Sequence, residues 1–190
     1  MTHDTDIALG PLAALIGFWS GDKGIDIAPE PDGPDENLYT DTIEFTVVDD
    51  HIENAEEQQL VAVHYHQVVR RQSTGKVFHD ETGYWMWDAA AKVIMHSLVI
   101  PRGVGLLAGG QHEGPKNAKG EMVLKVSAGT ANPEWPIMQS PFMVKKARTT
   151  AFEHQITVTG DSLSYFEKTT LDIYGRTFDH TDENILIRNK

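Results

Sequence analysis

The chain has no cysteine among its 190 residues. Disulfides, thiolate metal sites and a thiol nucleophile are therefore excluded, and a cytoplasmic location is expected. No uninterrupted apolar run approaches membrane-spanning length. Met1 to Gly10 carries Asp4 and Asp6, with neither a basic start nor a long apolar stretch, so residues 1–10 read as a loose tail and not a secretory signal. Basic residues are scarce: 16 Lys and Arg stand against 28 Asp and Glu, a formal net charge of −12. Such a surface repels phosphate backbones, so no nucleic acid partner is expected, and nothing in the sequence calls for a membrane. A Gly-x-Ser-x-Gly elbow is also missing. The glycines at 103, 105, 109 and 110 lack the Lys-Ser/Thr ending of a phosphate loop and the strand–helix setting of a dinucleotide site.

Against these absences, 40% of the residues are hydrophobic, enough for one globular domain over residues 11–190. Strand-like segments recur along it. Ile43, Phe45 and Val47 share one parity while Thr42 and Glu44 take the other. Similar segments cover residues 18–27, 59–71, 76–88, 92–100, 121–127, 162–174 and 176–188, with turns at Ser73-Thr74-Gly75, at Asp88 to Ala91 and at Gly160-Asp161. About ten strands with little helix indicate a sandwich or barrel. Pro11 to Gly17 is expected to form one helical turn closing a barrel end. Residues 28–36, with Pro29, Pro31, Pro34 and Gly33, are expected to be a surface loop. Residues 129–141 are expected to be a loop or cap over an opening, and residues 142–159 a long strand pair or one bent strand. Trp19, set among Gly17, Gly21 and Gly24, reads either as a plug in one end of a closed barrel or as a core residue beside an ordinary turn.

Nine histidines give the chain a bias toward ligand chemistry. His64 and His66 share a strand face with Leu60, Ala62 and Val68, a spacing able to chelate a metal with His79 or His96 as third ligand. The simpler reading, two polar histidines on the barrel face, is preferred. In residues 78–87, Phe78, Tyr84 and Met86 take one parity and His79, Trp85 and Trp87 the other. His79 and Asp80 are neighbours on a strand and point to opposite faces, so they form no dyad. His180, late in the chain and past Gly175, is not singled out by pattern alone.

Taken in order, four segments resemble the nitrobindin family. They are Gly17-Phe18-Trp19-Ser20-Gly21, Phe78-His79-Asp80-Glu81-Thr82-Gly83-Tyr84-Trp85, the glycine-containing stretch Pro101 to Gly110, and Ser162-Leu163-Ser164-Tyr165 running on to His180. The opening departs from the family's Gly-x-Gly-x-Gly-x-Tyr-Pro and runs Asp22-Lys23-Gly24-Ile25-Asp26-Ile27-Ala28-Pro29. The resemblance implies an all-β, fatty-acid-binding-protein-like, ten-stranded antiparallel up-and-down barrel with ferric haem b in one open end. It implies His180 as the iron ligand, with His79 and Phe78 as pocket residues. It further implies binding of nitric oxide or isomerisation of peroxynitrite to nitrate. His64, His66, His96 and His154 remain open as pocket histidines. Two other readings stand beside it: a haem-free, lipocalin-like carrier of an apolar small molecule, and a barrel filled by its own side chains. The glycine-bent edges leave room for a homodimer, which no motif specifies.

Overall fold

The structure is a computed structural model and describes residues 9–48, 58, 60–113 and 120–189. The expected tail, up to residue 8, lies outside the described residues; Leu9 is already buried in the core. The strands are β1 (Gly17–Glu30), β2 (Gly33–Val47), β3 (Leu60–Arg71), β4 (Val77–Asp88), β5 (Val93–Ile100), β6 (Val104–Gln111), β7 (Met122–Gly129), β8 (Ile137–Gln139), β9 (Ala147–Thr159), β10 (Ser162–Ile173) and β11 (Arg176–Asn189). A 3₁₀ turn, Gly10–Ala14, precedes them, and one short helix, α1 (Pro141–Lys146), lies between β8 and β9. All strands except β8 form a closed antiparallel ring of ten, with β5 paired to β6 and β1 to β11. β8 adds to the exposed edge of β6. Of the sandwich or barrel that the strand spacing indicates, the barrel implied by the family resemblance is the one present.

The ring closes because each strand carries a period-two pattern that suits only one inner face. On β2 the buried positions are Asn37, Tyr39, Asp41, Ile43 and Phe45, and on β7 they are Met122, Leu124, Val126 and Ala128. Burying one face and closing the ring leaves no long unpaired edge.

One end is plugged. Leu12, Leu15 and Trp19 have no exposed surface. The Trp19 indole donates from Nε1 to the Leu15 carbonyl at 2.7 Å. The Arg188 guanidinium lies 4.2 Å from the indole centroid and donates to the carbonyls of Ile16 and Ala14. Strand β1 then bends, with a register shift between Gly21 and Gly24. A Cβ on Gly24 would sit 2.1 Å from the Tyr39 ring, so only glycine lets β2 press its tyrosine against β1 there.

Two expectations need correction. Residues 28–36 are not a loop: β1 and β2 remain paired to the tip, Ala28 opposite Asp35 and Pro29 opposite Pro34, leaving only Pro31 and Asp32 as the turn. The two prolines face one another across the ladder, where neither removes a donor that the other needs. Residues 142–146 are helical and not strand. Ser140 caps α1 by accepting from Met143 N, and Pro141 supplies a preset φ at the first helical position. Residues 129–141, expected to be a loop or cap over an opening, hold β8, which lies along β6. β6 pairs with β7 only at Gly109–Ser127, and β8 with α1 fills the gap. Gly109 makes room for it, since a Cβ there would meet the Trp135 ring at 2.2 Å.

Replacing Trp19 by Ala removes the plug and the partner of Arg188. Equilibrium urea unfolding is expected to show a loss of about 3–5 kcal/mol. A loss under about 1 kcal/mol would show that the turn closes the barrel without it.

Candidate ligand site at the open end

The other end of the ring opens onto a cavity of about 370 Å³. Its mouth lies among the hairpin ends of β3–β4, β5–β6 and β10–β11 and beside α1. Leu98, Ile100, Val104 and Leu106 from β5 and β6, with Phe152 and Leu171, make an apolar wall. Carboxylates and imidazoles line it from the other strands, among them Asp26, Glu30, His79, Glu81, Glu167, His180 and Asp182. Barrel walls carry polar residues inward only where they pair with one another or await a partner.

His180 sits on β11 opposite Thr169 of β10. Its Nε2 lies 2.6 Å from Asp26 Oδ1 and 3.4 Å from Asp182 Oδ2. Asp26 is buried and anchored by the Asn37 amide at 2.9 Å. Burial disfavours a charged imidazole here, but the Asp26 hydrogen bond and the charges of Asp182 and Asp26 outweigh it, so the His180 pKa is raised. Burial pushes the Asp182 carboxyl up to about 6 against the pull of His180. The ligand atoms of Asp26, His180 and Asp182 all lie within 4.8 Å of one another, two carboxylates around one imidazole.

A second chain of contacts runs down from His79 into the core. His79 Nε2 lies 3.3 Å from Glu81 Oε2, and Tyr65 donates to Glu81 Oε1. His96 Nε2 lies 2.8 Å from the Tyr65 hydroxyl. With the Tyr65 proton directed at Glu81, His96 donates from Nε2, which selects its neutral tautomer. Burial works against the Glu81 carboxylate, but the His79 hydrogen bond and charge win and hold it down at about 2. The same pairing raises His79 against its own burial. His96, stacked on Trp85 at 4.3 Å, is pushed down to about 3 by burial and by neighbouring His154. His154 is pushed down to about 4 by burial. Glu167, 3.6 Å from His154, is pushed well above the usual carboxylate range by burial and then by Glu81, Asp182 and Asp41. Beside these, Asp41 Oδ2 accepts from the Tyr165 hydroxyl at 2.7 Å and from Gln67 at 2.8 Å, and burial holds its carboxyl up at about 7.

His180, His79 and Phe78 therefore meet at one cavity. Phe78 and His79 do so although neighbouring strand residues point to opposite faces. The ladder shifts there, Val69 pairing with His79 and Arg70 with Val77, and this leaves Phe78 as the extra residue of a bulge. Arg71 covers the Phe78 ring at 4.9 Å. His64 and His66 point outward, to Thr82 at 2.9 Å and to exposed Asp80 at 3.1 Å, and do not line the cavity. His96 and His154 are buried beneath it. Sequence reasoning missed Asp26, Asp182 and Glu167. The signal for Glu167 was its parity, shared with inward-facing Leu163 and Tyr165.

Residues 8–188 match a family described as the THAP4-like, heme-binding beta-barrel domain. Among solved structures the chain resembles Rv2717c from M. tuberculosis, with a TM-score of 0.68 and 23% identity over 96% of this chain and 98% of that one. At that identity the likeness concerns the fold. Comparison with curated proteins returns no match.

The buried groups make opposite contributions to pH dependence. His154 titrates at about 4 folded against 6.5 unfolded, so the unfolded chain holds more protons between those values and stability is lost as pH falls through them. His154→Phe is expected to gain on the parent protein by about 2–3 kcal/mol between pH 6.5 and 4. Asp41 is raised, so its contribution is present at low pH and lost between about 4 and 7. Asp41→Asn is expected to gain on the parent as pH rises through that window. Urea midpoints across pH check both, and parallel curves would refute the assignments.

Proposed function

The chain belongs to the THAP4-like, heme-binding β-barrel domain family, and from that premise we propose that its open end holds haem b with His180 as the iron ligand. The observation that carries this reading is an imidazole from the last strand reaching a cavity that has a continuous apolar wall. That wall suits the faces of a macrocycle, and Arg71 and Arg102, both lining the cavity, suit its propionates. Haem held there supplies an iron centre for nitric oxide binding or for isomerising peroxynitrite to nitrate. His79 pairs with Glu81 at the cavity wall, which favours its protonated form and suits it to meet an anion. Leu98, Leu106 and Phe152 keep water from the enclosed side. Asp26 and Asp182 compete for the nitrogen that iron needs, so ligation requires the loss of the proton His180 shares with them.

One observation favours a second reading, a haem-free carrier of an apolar or amphipathic small molecule: His180 Nε2 is already engaged by two carboxylates. Hemin titration separates the two. The parent protein is expected to develop a Soret band that His180→Ala loses, and an unchanged band in that variant would reject the ligand. Hemin affinity is expected to fall as pH drops through the raised His180 pKa, and Asp26→Asn is expected to move that fall to lower pH. Failure to bind hemin, with an apolar dye still bound, would select the carrier.

A further inference from the structure

The strap that roofs the cavity is turned inside out. Of the six residues of α1 only Met143 is buried, and it faces the cavity, while Phe142 is 64% and Val144 51% exposed. Met138, on β8 just before α1, is 69% exposed. Nothing in the fold requires these three side chains outside. The strap itself is firmly fixed. Ser140 N donates to the Gly103 carbonyl at 2.7 Å, and Gln139 makes two hydrogen bonds to the Thr149 backbone, at 2.8 and 2.6 Å. The apolar side chains are thus displayed from a rigid lip.

Cations surround them. Lys145 and Lys146 end α1, Arg148 begins β9 and Arg102 sits on the β5–β6 turn to which the strap is bonded. All four are exposed, and none has a carboxylate within ion-pair distance among the described residues. Asp172 faces Arg148 in register without pairing, and Glu134 is the other exposed acid near the strap. Of the acids at the β1–β2 tip, Glu30 lines the cavity mouth opposite the strap, and Asp32 lies at the turn beyond it, across the ring from β6. A local excess of positive charge around exposed apolar side chains stands out in a chain of net charge −12. Screening over about 8 Å at physiological salt lets an apposed surface feel this lip more than the distant carboxylates.

We propose that the lip formed by Met138, Phe142 and Val144, flanked by Arg102, Lys145, Lys146 and Arg148, docks the open end of the barrel on an anionic lipid surface. The apolar side chains enter the headgroup boundary and the cations meet lipid phosphates and carboxylates. Among the described residues no helix is long and apolar enough to span a bilayer, so the contact is peripheral. No spanning run pointed to a membrane; the lip arises only when α1 and the β5–β6 turn are brought together. Docking places the cavity mouth against the phase in which an amphipathic ligand dissolves, but the proposal does not depend on which ligand the cavity holds.

The test is co-sedimentation of the full chain with vesicles of phosphatidylcholine alone and of phosphatidylcholine with phosphatidylglycerol. Binding is expected only to the anionic vesicles and is expected to weaken with added salt. Lys145→Gln with Lys146→Gln is expected to weaken it about 25-fold, the worth of two cations at such a surface. Phe142→Ser with Val144→Ser is expected to abolish it, while far-UV circular dichroism and the thermal midpoint stay unchanged. In a Phe142→Trp variant the new emission is expected to shift to the blue on anionic vesicles. No sedimentation with anionic vesicles, or binding indifferent to both double variants, would overturn the proposal. Binding of polyglutamate through Phe142 without vesicle binding would overturn it in favour of an acidic protein partner.

Discussion

Closure of the ring is the constraint from which the rest follows. Once ten strands join edge to edge, every second side chain points into one enclosed space, and no strand can rotate its polar residues out to water. At the plugged end the inward positions are apolar and pack around Trp19, Leu12 and Leu15. Toward the open end the same parity delivers Asp26, Asp41, Glu81, Glu167 and Asp182 to the interior or the cavity wall. Such groups must find each other, a proton or a ligand.

They divide the histidines into two kinds. His79 and His180 each face a carboxylate at the cavity wall, and that pairing raises their pKa values against burial. His96 and His154 lie among aromatic rings, are pushed down, and belong to the core as neutral groups. The difference comes from a few ångströms of depth along strands that carry similar side chains. It also sets a tension at His180. The carboxylates beside its ring engage the nitrogen that the proposed function assigns to iron, so on that proposal haem ligation and release of the Nε2 proton are linked.

The all-β architecture was legible because its evidence is periodic: the alternation in residues 42–47 and the regular turn spacing indicate a sandwich or barrel, and the family resemblance points to the ring. Trp19 was legible as a buried indole, but not as a plug, since glycines around an indole suit both a barrel end and a core position beside a turn. The pairing of Phe78 with His79 at one cavity was not derivable from parity, since it depends on a bulge that only the partner strand defines. Prolines misled at residues 28–36, where facing Pro29 and Pro34 sit in a paired hairpin. Asp26 and Asp182 were invisible for a different reason. They lie 156 positions apart in sequence and become neighbours only because β1 closes the ring against β11, Asp26 directly opposite Asp182.

The account stands on His180 presenting its imidazole to a ligand in the open end. Crystals of the protein grown with hemin, with data collected at the iron absorption edge, address it most directly. An anomalous iron peak in the open end within coordination distance of His180 Nε2 is the predicted result. A peak on His64, His66 or elsewhere outside the barrel, or a cavity still holding the Asp26–His180–Asp182 contacts beside unbound hemin, would contradict it.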